Sequence, residues 1–283
     1  MKRVLACIDG SIYSESVADN AAWAAGRLGA SIELLQVIGR REAVASQDRS
    51  GRIMPKARRQ LLEQLAAVDS QRAKLLQQQA RMDLEAAKSR INDAGVQEVT
   101  ETLRHGDLLD ALAEREVDAE LVVIGKRGEA ADFAKLHLGS NLERIVRASH
   151  RPVLITARAF HPVKKVLLAF DGGPSATKAV DAMRHSPLFA ETSVDLVTVG
   201  EARGAAQRKL DDAGDQLRTA GLEVNSRIEP GQPETVIAEA VERDHIDLLV
   251  MGAYGHSRLR SLVIGSTTSE MIRACRIPIL LYR

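Results

Sequence analysis

Short, almost unbroken apolar runs alternate along this chain with longer amphipathic stretches, and the whole alternation occurs twice. In the second half the apolar runs fall near 165–170, 193–199, 223–228, 247–252 and 278–282. Runs such as ELVVIG (120–125) and DLLVMG (247–252) have no polar alternate face, which is the pattern of parallel strands covered on both sides. Parallel neighbours need helical crossovers, so strand alternating with helix predicts an open, doubly wound α/β fold in each half. The repeat is measurable: SIELLQV (31–37) aligns with SVDLVTV (193–199) and Asp9 with Asp171 at an offset of 162, whereas His105-Gly106 with Pro230-Gly231, Gly125 with Gly252 and Arg151-Pro152 with Ile277-Pro278 are offset by 125 to 127. The first half therefore carries about 37 extra residues, all between Val37 and Gly106.

The surplus has a pattern of its own. After a polar stretch, Pro55 is placed like a first-turn residue and no further glycine or proline follows until Gly95. Leu61, Leu65, Val68, Leu75, Leu76, Met82 and Leu84 recur at roughly helical spacing. One long helix or two shorter ones are expected, either packed along their own domain or projecting as an arm for self-association or a partner. The expected organisation is thus two tandem domains, 1–158 with an enlarged helical segment at 39–94, and 163–283. Their last strands, VLITA (153–157) and PILLY (278–282), would each be left at a sheet edge, so they are expected to pair with each other.

Composition narrows the function classes. With 283 residues, 45% hydrophobic and 27% charged, the chain has the make-up of a globular protein with a core. A formal charge of +1 and only 3% aromatic residues leave little to attract or stack nucleic acid, and no nucleic-acid partner is expected. The apolar run of MKRVLACID stops at Asp9, too short for a signal peptide, and no run approaches a membrane span, so the cytoplasm is the expected compartment. Cys7 and Cys275 have no metal-ligand spacing around them and are expected to be core thiols.

The chemistry lies in the loops. Residues 252–267 read GAYGHSRLRSLVIGST: Gly252 and Gly255 flank two residues, nine follow, and Gly265 and Ser266 open a helix. The first half answers with Gly125, Gly128, Gly139 and Ser140, but its spacer has ten residues and Asn141 stands where the second half has Thr267. Glycines let backbone N–H groups approach phosphate oxygens, and a helix start offers unpaired N–H groups and partial positive charge to an anion. The hydroxyls of Ser266 and Thr267 add donors. Asp171 and Asp9, each ending the first strand of its half, repel phosphate; they suit the hydroxyls of a ribose or a divalent cation. His256 is placed to meet a phosphate or solvent, and Lys126 and Arg127 to assist phosphate binding or to be surface charge. Trp23, among alanines, reads as helix-to-sheet packing.

These motifs resemble the universal stress protein family in its tandem, two-domain form. Nucleotide-binding members share Gly, two residues, Gly, nine residues, Gly and Ser or Thr, which residues 252–266 match throughout. The resemblance implies five-stranded parallel sheets in the order 3-2-1-4-5 and a pocket for ATP, ADP or AMP, with Mg2+ as a companion of the nucleotide. It implies that Asp171 contacts the nucleotide, that Val199 lies near the adenine, and that Gly252, Gly255, His256, Gly265, Ser266 and Thr267 surround the phosphates. Asp9, Val37, Gly125, Gly128, Gly139 and Ser140 are the weaker counterparts. It also implies a regulatory role and a regulatory protein partner; a homodimer of the whole chain is expected separately, because the segment 55–94 has more apolar stripe than one small sheet face needs. Two other readings stay open: an ATP-consuming enzyme with slow hydrolysis or adenylyl transfer, and an interaction module whose pockets are vestigial or hold another ligand.

Overall fold

The computed structural model describes residues 2–39, 55–126, 140–201, 204–253 and 265–283. In the first half the chain runs β1 (Arg3–Ile8), α1 (Ser14–Leu28), β2 (Ser31–Gly39), α2 (Pro55–Asp93), β3 (Val99–Gly106), α3 (Leu108–Arg115), β4 (Leu121–Gly125), α4 (Ser140–Ala148) and β5 (Val153–Thr156). The second half repeats the order as β6 (Lys165–Ala169), α5 (Pro174–His185), β7 (Ser193–Val199), α6 (Gly204–Thr219), β8 (Glu223–Glu229), α7 (Pro233–Arg243), β9 (Leu248–Gly252), α8 (Ser266–Ala274) and β10 (Ile279–Tyr282).

All ten strands join one sheet in the order β3-β2-β1-β4-β5-β10-β9-β6-β7-β8, so each half has the expected 3-2-1-4-5 order. Neighbours within each half are parallel. At the seam, β5 and β10 pair antiparallel, with Leu280 opposite Leu154 and Ile279 opposite Ile155. All four residues of each of these strands are buried. A strand this apolar cannot be left at an edge, and each half closes the other's. The outer edges, β3 and β8, carry Glu101, Arg104, Glu223 and Arg227 instead and so resist further pairing.

Because successive strand residues face opposite sides, Val4, Ala6 and Ile8 enter one core layer and Leu5 and Cys7 the other. Helices α1, α2, α5 and α6 cover the first layer, to which Trp23 adds a partly buried ring, as expected of helix-to-sheet packing. Both layers run on through the seam. A buried acid recurs in the middle of each half. Glu33 on β2 meets Arg3 at 2.8 Å and Arg115 at 3.3 Å; its counterpart Asp195 on β7 meets Arg227 at 3.2 Å and Lys165 at 3.4 Å.

The enlarged segment forms one helix of 39 residues where its counterpart α6 has 16. Its two ends behave differently. Ala80, Leu84, Ala87 and Ile91, spaced along one face, are buried, and Arg90 holds Asp19 of α1 at 2.6 Å. Before Ala80 the helix leaves the sheet: Leu62, Leu65, Val68 and Leu75 are 57%, 41%, 60% and 65% exposed. The segment is thus both a packed helix and a projecting arm. Among the described residues no helix is long and apolar enough to cross a membrane.

Candidate functional site

Three adjacent strands of the second half, β7, β6 and β9, end beside one another near Asp171, Val199 and Gly252. β6 lies between β7 and β9, with Ala169 opposite both Val197 and Met251. Asp171 therefore leaves the sheet beside Val199 on one side and Gly252 on the other, at the carboxyl ends of the strands, where the direction of strand order reverses. Open parallel sheets bind their ligands at such a crevice.

The turn after β6 is built by its own carboxylate. Asp171 Oδ1 accepts from the Gly173 N–H at 2.8 Å, and Gly172 between them has φ +68, which favours glycine. The first half repeats the device: Asp9 Oδ1 accepts from the Ser11 N–H at 3.1 Å, across Gly10 at φ +72. In both halves the carboxylate is held at the crevice by backbone rather than placed by chance.

Gly252 serves a different purpose, close approach. A Cβ there would lie 2.8 Å from Ser175 Cβ and 3.2 Å from the Ala176 nitrogen, so β9 and α5 pack together only because the side chain is missing. From the other side of the sheet, Thr268 of α8 donates its hydroxyl to the carbonyls of Gly252 at 3.3 Å and Ala253 at 3.4 Å. This ties the start of α8 to the end of β9. Gly265 caps that helix, and the next residues, Ser266 exposed and Thr267 half-buried, open its first turn. An acceptor for hydroxyls at the Asp171 turn and a hydroxyl-bearing helix start thus both lie at the carboxyl ends of neighbouring strands, β6 and β9.

Thr268 was not among the residues singled out by sequence, although the hydroxyl run Ser266-Thr267-Thr268-Ser269 signals it. In the first half its counterpart is Leu142, 2% exposed, which has no hydroxyl to tie α4 to β4. Gly125 ends β4 as Gly252 ends β9 and Ser140 opens α4, whereas Val199 is the last residue of β7 and Val37 lies two residues before the end of β2. Gly128, Gly139, Gly255, His256 and Arg127 lie outside the described residues.

One residue does something else. Lys126 donates to the carbonyls of Cys275 at 2.7 Å and Arg273 at 3.1 Å, at the C-terminal end of α8 in the other half. It thus satisfies last-turn carbonyls across the seam and complements the helix dipole, which neither of the sequence-based readings foresaw. Arg283 reaches back in the same way, to the Arg147 carbonyl of α4 at 2.6 Å.

Away from these crevices, an apolar groove lies between α3 and the end of α4, lined by Leu109, Leu112 and Val117. It holds none of the glycine-loop residues. Both thiols are buried. Burial, with Asp9 nearby, pushes Cys7 up to about 12, and burial pushes Cys275 to about 11, so neither is a nucleophile near neutrality. Among the described residues no group of three or more His, Cys, Asp or Glu is arranged to hold a metal ion.

Comparison with known proteins agrees with this geometry. The profile of the Universal stress protein family matches residues 1–157 and again 162–283. Universal stress protein Slr1230 of Synechocystis sp. is 39% identical over 287 residues, covering 100% of each chain. Among solved structures, a universal stress protein from Archaeoglobus fulgidus superposes with a TM-score of 0.72 at 21% identity, over 99% of this chain and 98% of that one. A functionally unknown protein, PA1789, from Pseudomonas aeruginosa PAO1 superposes with a TM-score of 0.62 at 16% identity, over 100% and 92%.

Proposed function

The chain belongs to the universal stress protein family, and on that premise we propose that it binds ATP or a related adenine nucleotide, mainly in its second half, as a regulatory ligand. The observation that carries this reading is the convergence of Asp171, Gly252 and the Gly265-Ser266 helix start at the carboxyl ends of β6 and β9. In this reading Asp171 accepts hydrogen bonds from the ribose, Val199 lies under the adenine, and Ser266 and Thr267 with the α8 N-terminus receive the phosphates. Gly255 and His256 complete the phosphate loop, and Mg2+ accompanies the nucleotide.

The first half, with Asp9, Val37, Gly125, Gly128, Gly139 and Ser140, is the weaker site. Its spacer is one residue longer, and Leu142 replaces the hydroxyl that ties helix to strand in the second half. A one-residue shift redirects N–H groups that must meet oxygens at about 3 Å.

Bound nucleotide would act by linkage: a ligand that favours one conformation or association state shifts the population towards it. The state it acts on is a homodimer of the whole chain, formed with the exposed stripe of α2, which supports self-association because more apolar surface projects than its own sheet can cover. The division at 158–163, the cytoplasm as compartment and a downstream protein partner belong to the same reading. Native mass spectrometry of freshly purified protein tests it in one measurement. The expected masses are those of a dimer carrying one adenine nucleotide per chain; a ligand-free monomer that also gives no calorimetric signal with ATP, ADP or AMP would refute it.

A further inference from the structure

Among the described residues, one helix position beside the two crevices carries charges of opposite sign. Gly172 in the second half sits under α6, where Lys209 donates to the Gly172 carbonyl at 3.4 Å and its Cδ lies 2.9 Å from where a Cβ on Gly172 would be. Gly10, in the same left-handed turn of the first half, sits under α2, and there the neighbour is Asp83: its Oδ2 lies 2.6 Å from where a Cβ on Gly10 would be. Gln36 Nε2 donates to that same Oδ2 at 3.2 Å and holds the carboxylate in place. Asp83 and Lys209 are 126 residues apart, the offset of the later landmarks, so they occupy one position of the repeat. At the mouth of the second crevice a cation accompanies Asp171. At the first, a second carboxylate accompanies Asp9.

We propose that this helix position sets the charge that each site accepts. Lys209 lets the second site take a polyanionic nucleotide. Asp83, beside the Gly10 turn that follows Asp9, makes the first site reject a triphosphate in favour of a ligand that presents hydroxyls or a cation. Opposite charges within a Debye length attract and like charges repel, with full effect only where salt does not screen them. The assignment rests on the nucleotide reading above and adds to it the residue that tells the two halves apart.

Calorimetric titration of the full chain with ATP and with adenosine separates the two claims. The Lys209→Asp variant is expected to bind ATP at the tight site about tenfold more weakly, equivalent to about 1.4 kcal/mol, and adenosine within a factor of about two of wild type. Raising the salt should shrink the difference. Asp83→Asn, which keeps the shape, and Asp83→Lys should strengthen a second, weaker ATP event by steps of similar size. Lys209→Gln serves as the milder variant, and matching melting curves establish that each chain is folded. A ratio of ATP to adenosine affinity that stays at the wild-type value in folded Lys209→Asp and Lys209→Gln overturns the charge assignment and leaves the nucleotide reading standing. Wild-type protein that binds neither ligand overturns both.

Discussion

Replacing Gly252 with alanine tests whether the end of β9 is a close-packed part of the site. The added Cβ would sit 2.8 Å from Ser175 Cβ and 3.2 Å from the Ala176 backbone nitrogen, whereas ordinary carbon contacts lie near 3.5–4 Å. Neither neighbour is the far end of a flexible side chain, so α5 must move away from β9 by roughly 1 Å or the strand must bend. Overpacking of this kind costs about 1–3 kcal/mol. At about 2–4 °C per kcal/mol for a chain of this size class, the melting temperature should fall by roughly 2–12 °C. The same movement carries the Asp171 turn, which leads directly into α5, away from the start of α8. Nucleotide affinity should therefore drop more than the stability loss alone would cause, by about tenfold or more. Gly26→Ala is the matched control: it lies within α1 with nothing within 4 Å of a new Cβ, and should raise stability by about 0.5–1 kcal/mol without touching affinity. Thermal unfolding followed by circular dichroism and calorimetric titration read both quantities. A Gly252→Ala protein that melts and binds like wild type would refute the close approach and the site built on it.

Removing the charged acceptor in Asp171→Ala should weaken nucleotide binding by about 1.5–3 kcal/mol, roughly tenfold to hundredfold, and unchanged affinity would take the residue out of the site. Cys7 and Cys275, pushed up to about 12 and about 11 by burial, should resist iodoacetamide in the folded protein at pH 8 and react only in urea; rapid labelling of the native chain would contradict their burial. Glu229 and Asp244 are both held below their ordinary values, chiefly by hydrogen bonds from Arg243. Their folded values lie below the unfolded ones, so their stabilisation is present above about pH 4 and is lost as pH falls through the folded values. Melting temperatures followed from pH 7 to pH 3 should fall less steeply in Glu229→Gln than in wild type; parallel curves would contradict the assignment. Leu65→Gln combined with Leu75→Gln removes exposed apolar surface from the arm of α2 and should convert dimer to monomer in light scattering without lowering stability, whereas an unchanged dimer would move the interface elsewhere.

The hydrophobic pattern alone determined the strands, because runs such as DLLVMG can only be buried on both faces, and β9 falls at Leu248–Gly252 as that argument requires. The offset of 162 between Asp9 and Asp171 likewise marked both crevices, since each carboxylate makes its turn with the backbone two residues on and needs nothing distant. Even the seam was legible, because two short strands of almost wholly apolar residues have few places to go. What only the tertiary structure decided are contacts between residues far apart in sequence. Nothing along the sequence marks Asp83 or Lys209; packing alone lays α2 and α6 over Gly10 and Gly172. Lys126 reads as part of a phosphate loop, yet the antiparallel join of β5 and β10 brings it to the end of a helix in the other half. The buried stripe of α2 could be read as part of one continuous apolar face, because spacing tells which residues share a side and not where the sheet ends. Periodicity is a property of neighbours along the chain. The sign of the charge beside a crevice depends on which neighbour arrives through space.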